Sequence, residues 1–356
     1  MTAQSTPSAH KGKLKIYLGY AAGVGKTYQM LTEAQELKMQ GVDVVIGYFE
    51  PHGRAETIAQ TAGLEFVPRK VYEHRGSKFE DMDTAAVIAR HPQVAAVDEF
   101  AHTNVPGAER PKRWEDVMAI LDAGIDVLTS LNIQHIESLN DQVWHVTGIR
   151  VRETVPDWVV QEADEVVMVD VTPRALLHRL ERGVVYSHEK AQQALENFFT
   201  ESNLTALREL ALRQTAHQLE ERREELRVPQ PVLESQRQES ILIWLTLNPS
   251  TAMLIRRGRR VADYLDSSCT ALFVAGELSP EDRATVERLM NVCRNLRIKP
   301  ETIESPEPAK AVAAWAREHG ITQIFVTRDA PEAQKLVHLA RDMQVTIVAE
   351  RVRHAT

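Results

Sequence analysis

The sequence predicts an α/β protein built from two units, each with a parallel sheet covered by helices. Three observations support this prediction. Apolar strand-like runs alternate with amphipathic helical runs from residue 14 to about 170, a glycine-rich turn lies at residues 19–27, and a second alternating series follows a charged segment. Such alternation is typical of parallel sheets, because parallel strands need a crossover element between them. A chain of 356 residues has room for two such units.

The turn at residues 19–27 joins the apolar run 14–18 to a helical run at 28–38. Glycines in such a turn let consecutive backbone N–H groups point at phosphate oxygens, and the following helix adds the positive end of its dipole. A lysine that reaches the β and γ phosphates and a hydroxyl that holds Mg²⁺ complete the pattern. The residues assigned to nucleotide binding are Gly23, Val24, Gly25, Lys26 and Thr27.

The turn departs from the strict pattern at one position. That pattern has a glycine five places before Gly25, where the chain has Tyr20, and the glycine stands one step earlier at Gly19. Gly23 and Gly25, which allow close approach of the backbone to a phosphate, are present. On this motif alone, an ordinary glycine-rich turn with a surface lysine stays open as the alternative.

An acidic pair follows a second apolar run. Residues 94–97 are Val-Ala-Ala-Val, and Asp98 and Glu99 come next. Asp98 is suited to hold the Mg²⁺ shell through water, and Glu99 to polarise an attacking water. An acidic pair alone more often caps a strand at its solvated end. Combined with Lys26 and Thr27, it predicts a P-loop NTPase-type parallel sheet, with Thr27 and Asp98 at the metal.

Periodicity predicts the remaining elements of the first unit. Strand-like runs continue to about residue 170, and a period of 3.6 after residue 187 predicts a helical extension that packs on the sheet, with Asn203 as a helix N-cap. The predicted strands are 15–18, 44–48, 94–97, 125–131 and 166–170, and the apolar helix positions are Ala191, Ala194, Leu195, Phe198, Phe199, Leu204, Leu207, Leu210, Ala211 and Leu212.

A charged segment with two prolines, 221–239, predicts a partly helical linker. Four or five strands after it predict a second, smaller doubly wound α/β domain. We therefore divide the chain into a flexible leader (1–13), a nucleotide-binding domain with C-terminal helices (14–220), the linker, and a second domain (240–352). The strands predicted in the second domain are 241–247, 271–275, 321–327 and 345–349, and the helices are 252–265, 281–296, 309–319 and 333–342.

Charge and composition exclude several classes of function. A net charge of -8 and a pI near 5.9 argue against nonspecific binding to nucleic acid or to an anionic membrane. Cys269 and Cys293 are too few for a disulfide framework, which fits a reducing cytoplasm. Residues 1–13 lack the apolar core of a signal peptide, and no run approaches the ~20 apolar residues of a membrane helix. We expect a cytoplasmic protein without direct membrane insertion.

Five longer segments carry a resemblance to a known family. They are Gly-Tyr-Phe-Glu-Pro-His-Gly-Arg (47–54), Val-Asp-Glu-Phe-Ala-His-Thr-Asn (97–104), Pro-Lys-Arg-Trp (111–114), Leu-Asn-Ile-Gln-His-Ile-Glu-Ser-Leu-Asn (131–140) and Ala-Leu-Glu-Asn-Phe-Phe (194–199). They resemble the N-terminal cytoplasmic region of the KdpD family, the potassium-responsive sensor histidine kinases of two-component systems. The resemblance covers about residues 13–216, and residues 240–352 look like the universal-stress-protein module that follows in that family.

Full-length members of that family continue into membrane helices, a phosphoacceptor histidine and a kinase domain. The sequence has none of those motifs, so we expect no autophosphorylating histidine kinase. The resemblance implies ATP at the phosphate loop and Mg²⁺ near Asp98. From their placement after the strand 125–131, Asn132, Gln134 and His135 are candidates to sense the γ-phosphate. A structural hydrogen-bonding role for His135 is the alternative.

Arginines supply a further set of candidates. Arg54, Arg110 and Arg113 are candidates for stabilising transferred phosphate charge, in cis or across a homodimer, although surface arginines more often have no such role. Some family members bind cyclic di-AMP in the second module. Its serines and aromatics are replaced here, at Thr246 and Asn248 and within residues 269–273, so cyclic di-AMP is held only as a minor alternative.

Three functions are consistent with these observations. The leading one is a regulatory ATP-binding sensor in potassium or osmotic signalling, which controls a kinase, a response regulator or a potassium-transport protein, with at most slow hydrolysis. The second is a P-loop phosphotransferase that acts on a small molecule with Glu99 as base. The third is a scaffold in which both sites are vestigial, and the intact Gly-Lys-Thr and Asp-Glu sequences argue against it.

Overall fold

The computed structural model describes residues 11–182, 198–225, 239–265, 267–276 and 278–349. The chain divides into two compact units, residues 1–155 with 159–227 and residues 156–158 with 228–356. Most of the predicted leader and linker lies outside the described residues, as do the helix positions Ala191, Ala194 and Leu195. The domain bounds therefore stay predictions.

The first unit contains a parallel sheet and a separate hairpin. Its strands are β1 Leu14–Gly19, β2 Val44–Tyr48, β3 Glu65–Phe66, β4 Lys70–His74, β5 Ser77–Asp81, β6 Val94–Val97, β7 Asp126–Asn132 and β8 Glu165–Met168. Six strands form the sheet in the order β3-β2-β6-β7-β1-β8, and every neighbouring pair is parallel. β4 and β5 form an antiparallel hairpin.

The sheet confirms the predicted α/β fold class. All five predicted strands of this unit are present, with ends shifted by at most two residues. β3, β4 and β5 were not predicted, because β3 has only two residues and the hairpin strands are mostly exposed and lack an apolar face. β1 lies between β7 and β8, and β7 separates it from β6.

Eight helices are described before residue 226: α1 Lys26–Met39, α2 Ala55–Ala59, α3 Thr84–Arg90, α4 Arg113–Asp122, α5 Asn140–Thr147, α6 Asp157–Gln161, α7 Pro173–Glu181 and α8 Glu201–Glu225. α8 packs against β1, β8 and the short 3-10 helix Ile133–His135. The predicted packing of this helical segment on the sheet therefore holds for the described part of the segment.

Two details of α8 differ from the prediction. The N-cap is Thr200 rather than Asn203, because the Thr200 side-chain oxygen accepts the N–H of Asn203 at 3.2 Å and the helix begins at Glu201. Leu204, Leu207 and Ala211 are buried as predicted, but Leu212 is 44% exposed. At 3.6 residues per turn, Leu212 lies about 100° from the stripe that these three residues form.

The second unit contains a five-stranded parallel sheet with the order β11-β10-β9-β12-β13. Its strands are β9 Ser240–Leu245, β10 Ser268–Ala275, β11 Lys299–Glu304, β12 Gln323–Thr327 and β13 Gln344–Val348, and its helices are α9 Thr251–Tyr264, α10 Pro280–Asn295, α11 Pro308–Glu318 and α12 Ala333–Leu339. One apolar cluster lies on each face of the sheet. This arrangement confirms the predicted doubly wound domain.

One strand of the second unit was missed. β11 has the sequence Lys-Pro-Glu-Thr-Ile-Glu, which carries charges and a proline in place of an apolar run. Proline is tolerated there because β11 is an edge strand, where one side of the backbone needs no partner. Among the described residues, no helix is long and apolar enough to cross a membrane.

Candidate functional site

The order of the sheet brings the predicted site residues together. The carboxyl ends of parallel strands lie on the same edge of a sheet, which is where ligands bind in open α/β folds. β1 ends at the glycine-rich loop, β6 ends before Asp98, and β7 ends at Asn132 between them. Segments that are far apart in the chain therefore meet at one edge.

The loop has the backbone shape that a phosphate cradle needs. Gly23 and Gly25 have positive φ angles of 88° and 110°, which residues with a Cβ rarely adopt. A Cβ built on Gly25 would find only the Arg179 guanidinium within 4 Å, at 3.9 Å, so the space in front of the loop is open. Val24, between the two glycines, is buried and holds the loop against the core.

The structure also explains the irregular start of the loop. A Cβ on Gly19 would lie 2.6 Å from Val24 Cγ2 and 2.8 Å from Lys26 Cδ, so a glycine is required there for the lysine to cross the strand end. Tyr20 is fully buried, and its hydroxyl donates to the Val171 carbonyl at 3.0 Å. The tyrosine therefore attaches the loop to the segment after β8.

Lys26 is a buried cation held by neutral oxygens. Its ammonium donates to the Ala21 carbonyl at 3.2 Å and to Asn132 Oδ1 at 2.5 Å, and the residue is 7% exposed. Burial lowers the pKa of Lys26 to about 8, although the nearby Asp98 opposes the shift; the Arg54 charge adds to it. A buried ammonium held in this way fits the oxygens of a bound phosphate.

Thr27 and Asp98 form the oxygen side of the site. The Thr27 hydroxyl donates to Asp98 Oδ1 at 3.1 Å, and the Ser130 hydroxyl donates to the same oxygen at 2.5 Å. Burial raises the pKa of Asp98, and these hydrogen bonds oppose that shift. A hydroxyl and a carboxylate are ligands that Mg²⁺ prefers.

Those two residues form an incomplete metal site by themselves. In the described ranges, no group of three or more His, Cys, Asp or Glu side chains is arranged to hold a metal ion. A magnesium ion at Thr27 and Asp98 would therefore take its further ligands from phosphate and water, which is the usual coordination of Mg²⁺ at nucleotides. The donor set fits that ion.

Glu99 lies at the same cavity but is already bonded. Its Oε1 is 2.9 Å from His52 Nε2, and its backbone φ is +57°. Burial acts to raise the pKa of Glu99, but the hydrogen bond from His52 and nearby cations outweigh burial and lower it. The same hydrogen bond raises the pKa of His52.

His135 and Gln134, predicted together, occupy different positions. His135 Nδ1 is 2.8 Å from the Glu153 carbonyl oxygen, which only accepts, so Nδ1 carries the proton. Burial lowers the pKa of His135, which keeps the ring neutral, and the ring lines the cavity beside Lys26. Gln134 lies outside the residues that line this cavity, and its side-chain oxygen is buried with no hydrogen-bond partner among the described residues.

Two neighbouring cavities adjoin the loop. The smaller, of ≈ 140 Å³, is lined on its polar side by Lys26, Thr27, Asp98, Glu99 and His135. The larger, of ≈ 830 Å³, lies along the outer side of the glycine loop and shares Thr27 and Arg54 with the smaller one. The larger volume is in the range of pockets that hold small molecules, ~300–1,000 Å³.

Arg113 does not fit the phosphate role that its sequence position suggested. Its side chain is fully buried, with Nη2 2.5 Å from Asp81 Oδ1 and Nη1 donating to the Asp98 carbonyl at 3.2 Å. The guanidinium also lies 3.7 Å from the centre of the Tyr48 ring. These bonds hold the guanidinium behind the acidic pair, and Arg113 is not among the residues that line either cavity.

The other two candidate arginines differ in their position relative to the cavities. Arg54 lines both cavities, as a phosphate-binding arginine would. Arg110 forms ion pairs with Glu109 at 3.0 Å and Asp116 at 3.5 Å, outside the lining of either cavity. Of the three arginines, Arg54 alone fits the predicted role.

Sequence reasoning missed Arg179, Ser130 and the role of His52. Arg179, on α7, donates from Nη1 to the carbonyls of Gly23 and Val24, at 3.2 Å each. A single arginine in a charged helix carries no motif, so no signal in one sequence marks it. The position of Ser130, two residues before the end of the strand that holds Asn132, was a usable signal, because alternate residues of that strand face the same side.

Comparison with known proteins places these residues in a family context. A family model named KdpD, described as the osmosensitive K⁺ channel His kinase sensor domain, matches residues 10–219. A putative sensor protein KdpD of Synechocystis is 46% identical over 329 residues, which cover 92% of this chain and 88% of that protein. The sensor protein KdpD of Escherichia coli is 40% identical over 359 residues, which cover 97% of this chain and only 40% of that protein.

A solved structure resembles part of the chain. It is a protein of the universal stress protein family from Burkholderia pseudomallei, with 17% identity and a TM-score of 0.26; it covers 31% of this chain and 95% of that protein.

Proposed function

The chain belongs to the KdpD family of osmosensitive potassium-channel sensor proteins, and on that premise we propose that it is a regulatory ATP-binding protein. ATP with Mg²⁺ occupies the loop at Lys26, and its presence changes the conformation of α8. The changed helix controls a partner, which is a kinase, a response regulator or a potassium-transport protein of the same signalling system. Hydrolysis is slow and resets the protein.

Different residues of the site bind the phosphates and the metal ion. The N–H groups of the loop and the Lys26 ammonium hold phosphate oxygens, and Arg54 adds a second positive charge. Thr27 and Asp98 hold the metal ion, which when bound neutralises phosphate charge. Asn132, which accepts from Lys26 in the structure, keeps the ammonium in place while the site is being filled.

The observation that supports regulation is a chain of hydrogen bonds from the loop to α8. On the loop side, Tyr20 bonds to the Val171 carbonyl, and Arg179 bonds to the carbonyls of Gly23 and Val24. On the helix side, Arg208 of α8 forms a two-pronged ion pair with Asp170, with Nε 2.7 Å from Oδ1 and Nη2 2.5 Å from Oδ2.

Segment 169–182 therefore has the loop on one side and α8 on the other. A ligand that moves the loop carbonyls of Gly23 and Val24 breaks or re-forms bonds to Arg179, and the shift reaches Asp170 through only nine residues of chain. Because Asp170 is paired with Arg208, α8 has different contacts in the two states. A difference of this kind between two states is what coupling requires.

The alternative, a phosphotransferase that acts on a small molecule, needs room for an acceptor beside Glu99. The cavity on that side has ≈ 140 Å³, which is smaller than the roughly 300 Å³ at the low end of small-molecule pockets. A γ-phosphate and one water fill such a space. The geometry therefore favours hydrolysis or simple binding over transfer to a second substrate.

Equilibrium binding of Mg-ATP to the wild type and to Lys26→Ala tests the proposal. Loss of the charged hydrogen bonds of Lys26 should weaken binding by about 100-fold. Lys38→Ala is the matched control, because Lys38 lies on the same helix and is exposed. Equal affinity in the wild type and Lys26→Ala would contradict the proposed site.

A further inference from the structure

Two residues with unusual backbone conformations meet beside the smaller cavity. Glu99 has φ +57° and His52 has φ +46°, in the left-handed region that residues other than glycine rarely adopt. Such conformations persist only where neighbouring contacts hold them, and they are common at functional sites. Here both belong to residues whose side chains line one cavity.

The side chains of this pair bond to each other. His52 Nε2 is 2.9 Å from Glu99 Oε1, and each side chain is partly exposed, at 46% and 33%. Between a histidine and a carboxylate at that distance, Nε2 donates and the carboxylate oxygen accepts. His52 therefore occupies a lone pair of Glu99, whereas Ser130 and Thr27 bond to the neighbouring Asp98.

The backbones on both sides of the pair are fixed by other bonds. The Asp98 carbonyl accepts from Arg113, and the Asp98 N–H donates to the Tyr48 carbonyl at 3.0 Å. In the loop after β2, Arg69 Nη2 donates to the Phe49 carbonyl at 2.6 Å. With the backbones held, the side-chain contact between His52 and Glu99 is the part of the site that can open.

The contact has a direct chemical consequence. In hydrolysis, the oxygen of a water molecule forms a bond to the γ-phosphorus as the bond from that phosphorus to the ADP oxygen breaks, and a base accepts a proton from the water. A carboxylate that already accepts a hydrogen bond from an imidazole is a weaker base and has fewer free lone pairs for the water.

We propose that His52 is a positioning residue that restrains Glu99 and thereby keeps ATP hydrolysis slow, so that the protein stays loaded long enough to signal. This inference rests on the proposed function, because it concerns the same nucleotide site. Release of the pair frees Glu99 to act on the water. Because the backbones on both sides are held, rotation of the His52 side chain is the movement that releases the pair. Arg54, two residues further along the same loop, lines both cavities.

The first test measures ATP turnover at saturating Mg-ATP. His52→Ala should raise kcat by about tenfold, the effect of removing one charge-assisted hydrogen bond. The ATP dissociation constant should stay within about threefold of the wild type, because His52 acts through Glu99. In the double variant His52→Ala with Glu99→Gln, the gain in kcat should disappear.

His91→Ala is the matched control. His91 is another exposed histidine with a left-handed backbone, φ +49°, at the end of α3 and outside the lining of the cavity. The His91→Ala variant shows the effect of removing a histidine from a left-handed backbone position outside the cavity. Its kcat should equal that of the wild type. His52→Asn is a second test variant, because asparagine tolerates the left-handed region and preserves the fold of the loop.

The second test needs no nucleotide. In the ligand-free protein, the melting midpoints of His52→Ala, Glu99→Ala and the double variant form a double-mutant cycle, and alanine at position 99 removes the acceptor as well as the charge. If the two side chains bond, the shift in the double variant should be smaller than the sum of the two single shifts. Additive shifts would show that the pair does not exist in solution and would overturn the inference.

The outcomes separate this inference from the proposed function. Intact ATP binding with kcat of His52→Ala equal to or below that of the wild type would overturn the restraint alone. A gain in kcat that survives in the double variant would also overturn it, because the gain would not act through Glu99. Absence of ATP binding by the wild type would overturn the proposed function and this inference together.

Discussion

In both units, a turn joins the central strand of the sheet to the next helix, but the two turns differ in their backbone and polar groups. Each has a central strand, β1 or β9, with a neighbour on both sides and a turn into a helix at its carboxyl end. After β1, the turn has glycines with positive φ and a buried lysine held by neutral oxygens. After β9, none of residues 246–251 has a left-handed backbone.

The turn after β9 satisfies its own polar groups. Thr251 Oγ1 donates to the Thr246 carbonyl at 2.8 Å and lies 3.1 Å from Thr246 Oγ1, and Asn248 Oδ1 accepts the N–H of Ser250 at 2.8 Å. The turn after β1 has a buried cation beside an open glycine loop, whereas the polar groups of the turn after β9 bond to one another. The sheet therefore supplies the position of a site, and the residues of the turn decide whether a ligand binds there.

Removal of the metal-side carboxylate should have the largest effect. Asp98→Asn keeps the shape and the hydrogen bonds from Ser130 and Thr27 but removes the charge. We expect the affinity for Mg-ATP to fall by about 100-fold, while ATP without the metal binds as to the wild type. Equilibrium binding with Mg²⁺ and with EDTA measures this, and an equal loss under both conditions would break the assignment of the metal to Asp98.

A matched pair of glycine substitutions comes next, one in each unit. A Cβ on Gly19 would lie 2.6 Å from Val24 Cγ2, and a Cβ on Gly258 would lie 2.5 Å from Ile243 Cδ1. Each alanine variant should lose about 2 kcal/mol of stability. Gly19→Ala displaces the loop and Lys26 and should weaken ATP binding by about 30-fold.

Gly258→Ala should leave ATP affinity unchanged, since its clash is with the core of the second unit. Thermal melts of both variants measure the loss of stability, and ATP titrations measure the affinity. Weakened ATP binding in Gly258→Ala would mean that the nucleotide site depends on the second unit.

The pH dependence of binding should be smaller. Burial lowers the pKa of Lys26 to about 8, and only the protonated ammonium attracts phosphate. As the pH rises from 7 to 9, the ligand-free protein loses that charge, so ATP affinity should fall by about tenfold. Lys26→Arg keeps its charge through this range and should show a flat profile. A flat profile in the wild type would contradict a lowered pKa.

The smallest expected effect is that of a substitution in the second unit. Thr327 ends β12, is 1% exposed, and its hydroxyl has no hydrogen-bond partner among the described residues. Thr327→Val has nearly the same shape and removes an unsatisfied polar group, so it should stabilise the second unit by about 1 kcal/mol. A melting curve measures this gain. A loss of stability would indicate that the hydroxyl is satisfied in solution, for instance by a ligand or water.

Much of the fold and half of the site could be predicted from the sequence, for physical reasons. The central strands β1, β2, β6 and β7 are apolar runs, and buried parallel strands must be apolar, so their signal was strong. The edge strand β11 and the β4–β5 hairpin are exposed and polar, so no apolar run indicated these strands in the sequence.

The site divides in the same way. Lys26, Thr27 and Asp98 belong to local motifs whose spacing is readable in one sequence. Arg113 and Arg179 depend on contacts between segments more than 30 residues apart, with Asp81 and with Gly23. Nothing in the local sequence indicates that Arg113 is buried or that Arg179 reaches the loop. For that reason the sequence suggested a phosphate role for Arg113 and gave no signal for Arg179.

If the nucleotide loop communicates with α8, amide hydrogen exchange of residues 201–216 should respond to ATP. We expect Mg-ATP to change exchange in this helix of the wild type and of the control variant Arg182→Ala, because Arg182 lines the larger cavity with Arg179. In Arg179→Ala, ATP should still bind but should no longer change the exchange of α8. An ATP-dependent change that is the same in Arg179→Ala, or that is absent from ATP-bound wild type, would show that the loop does not act on α8 through Arg179.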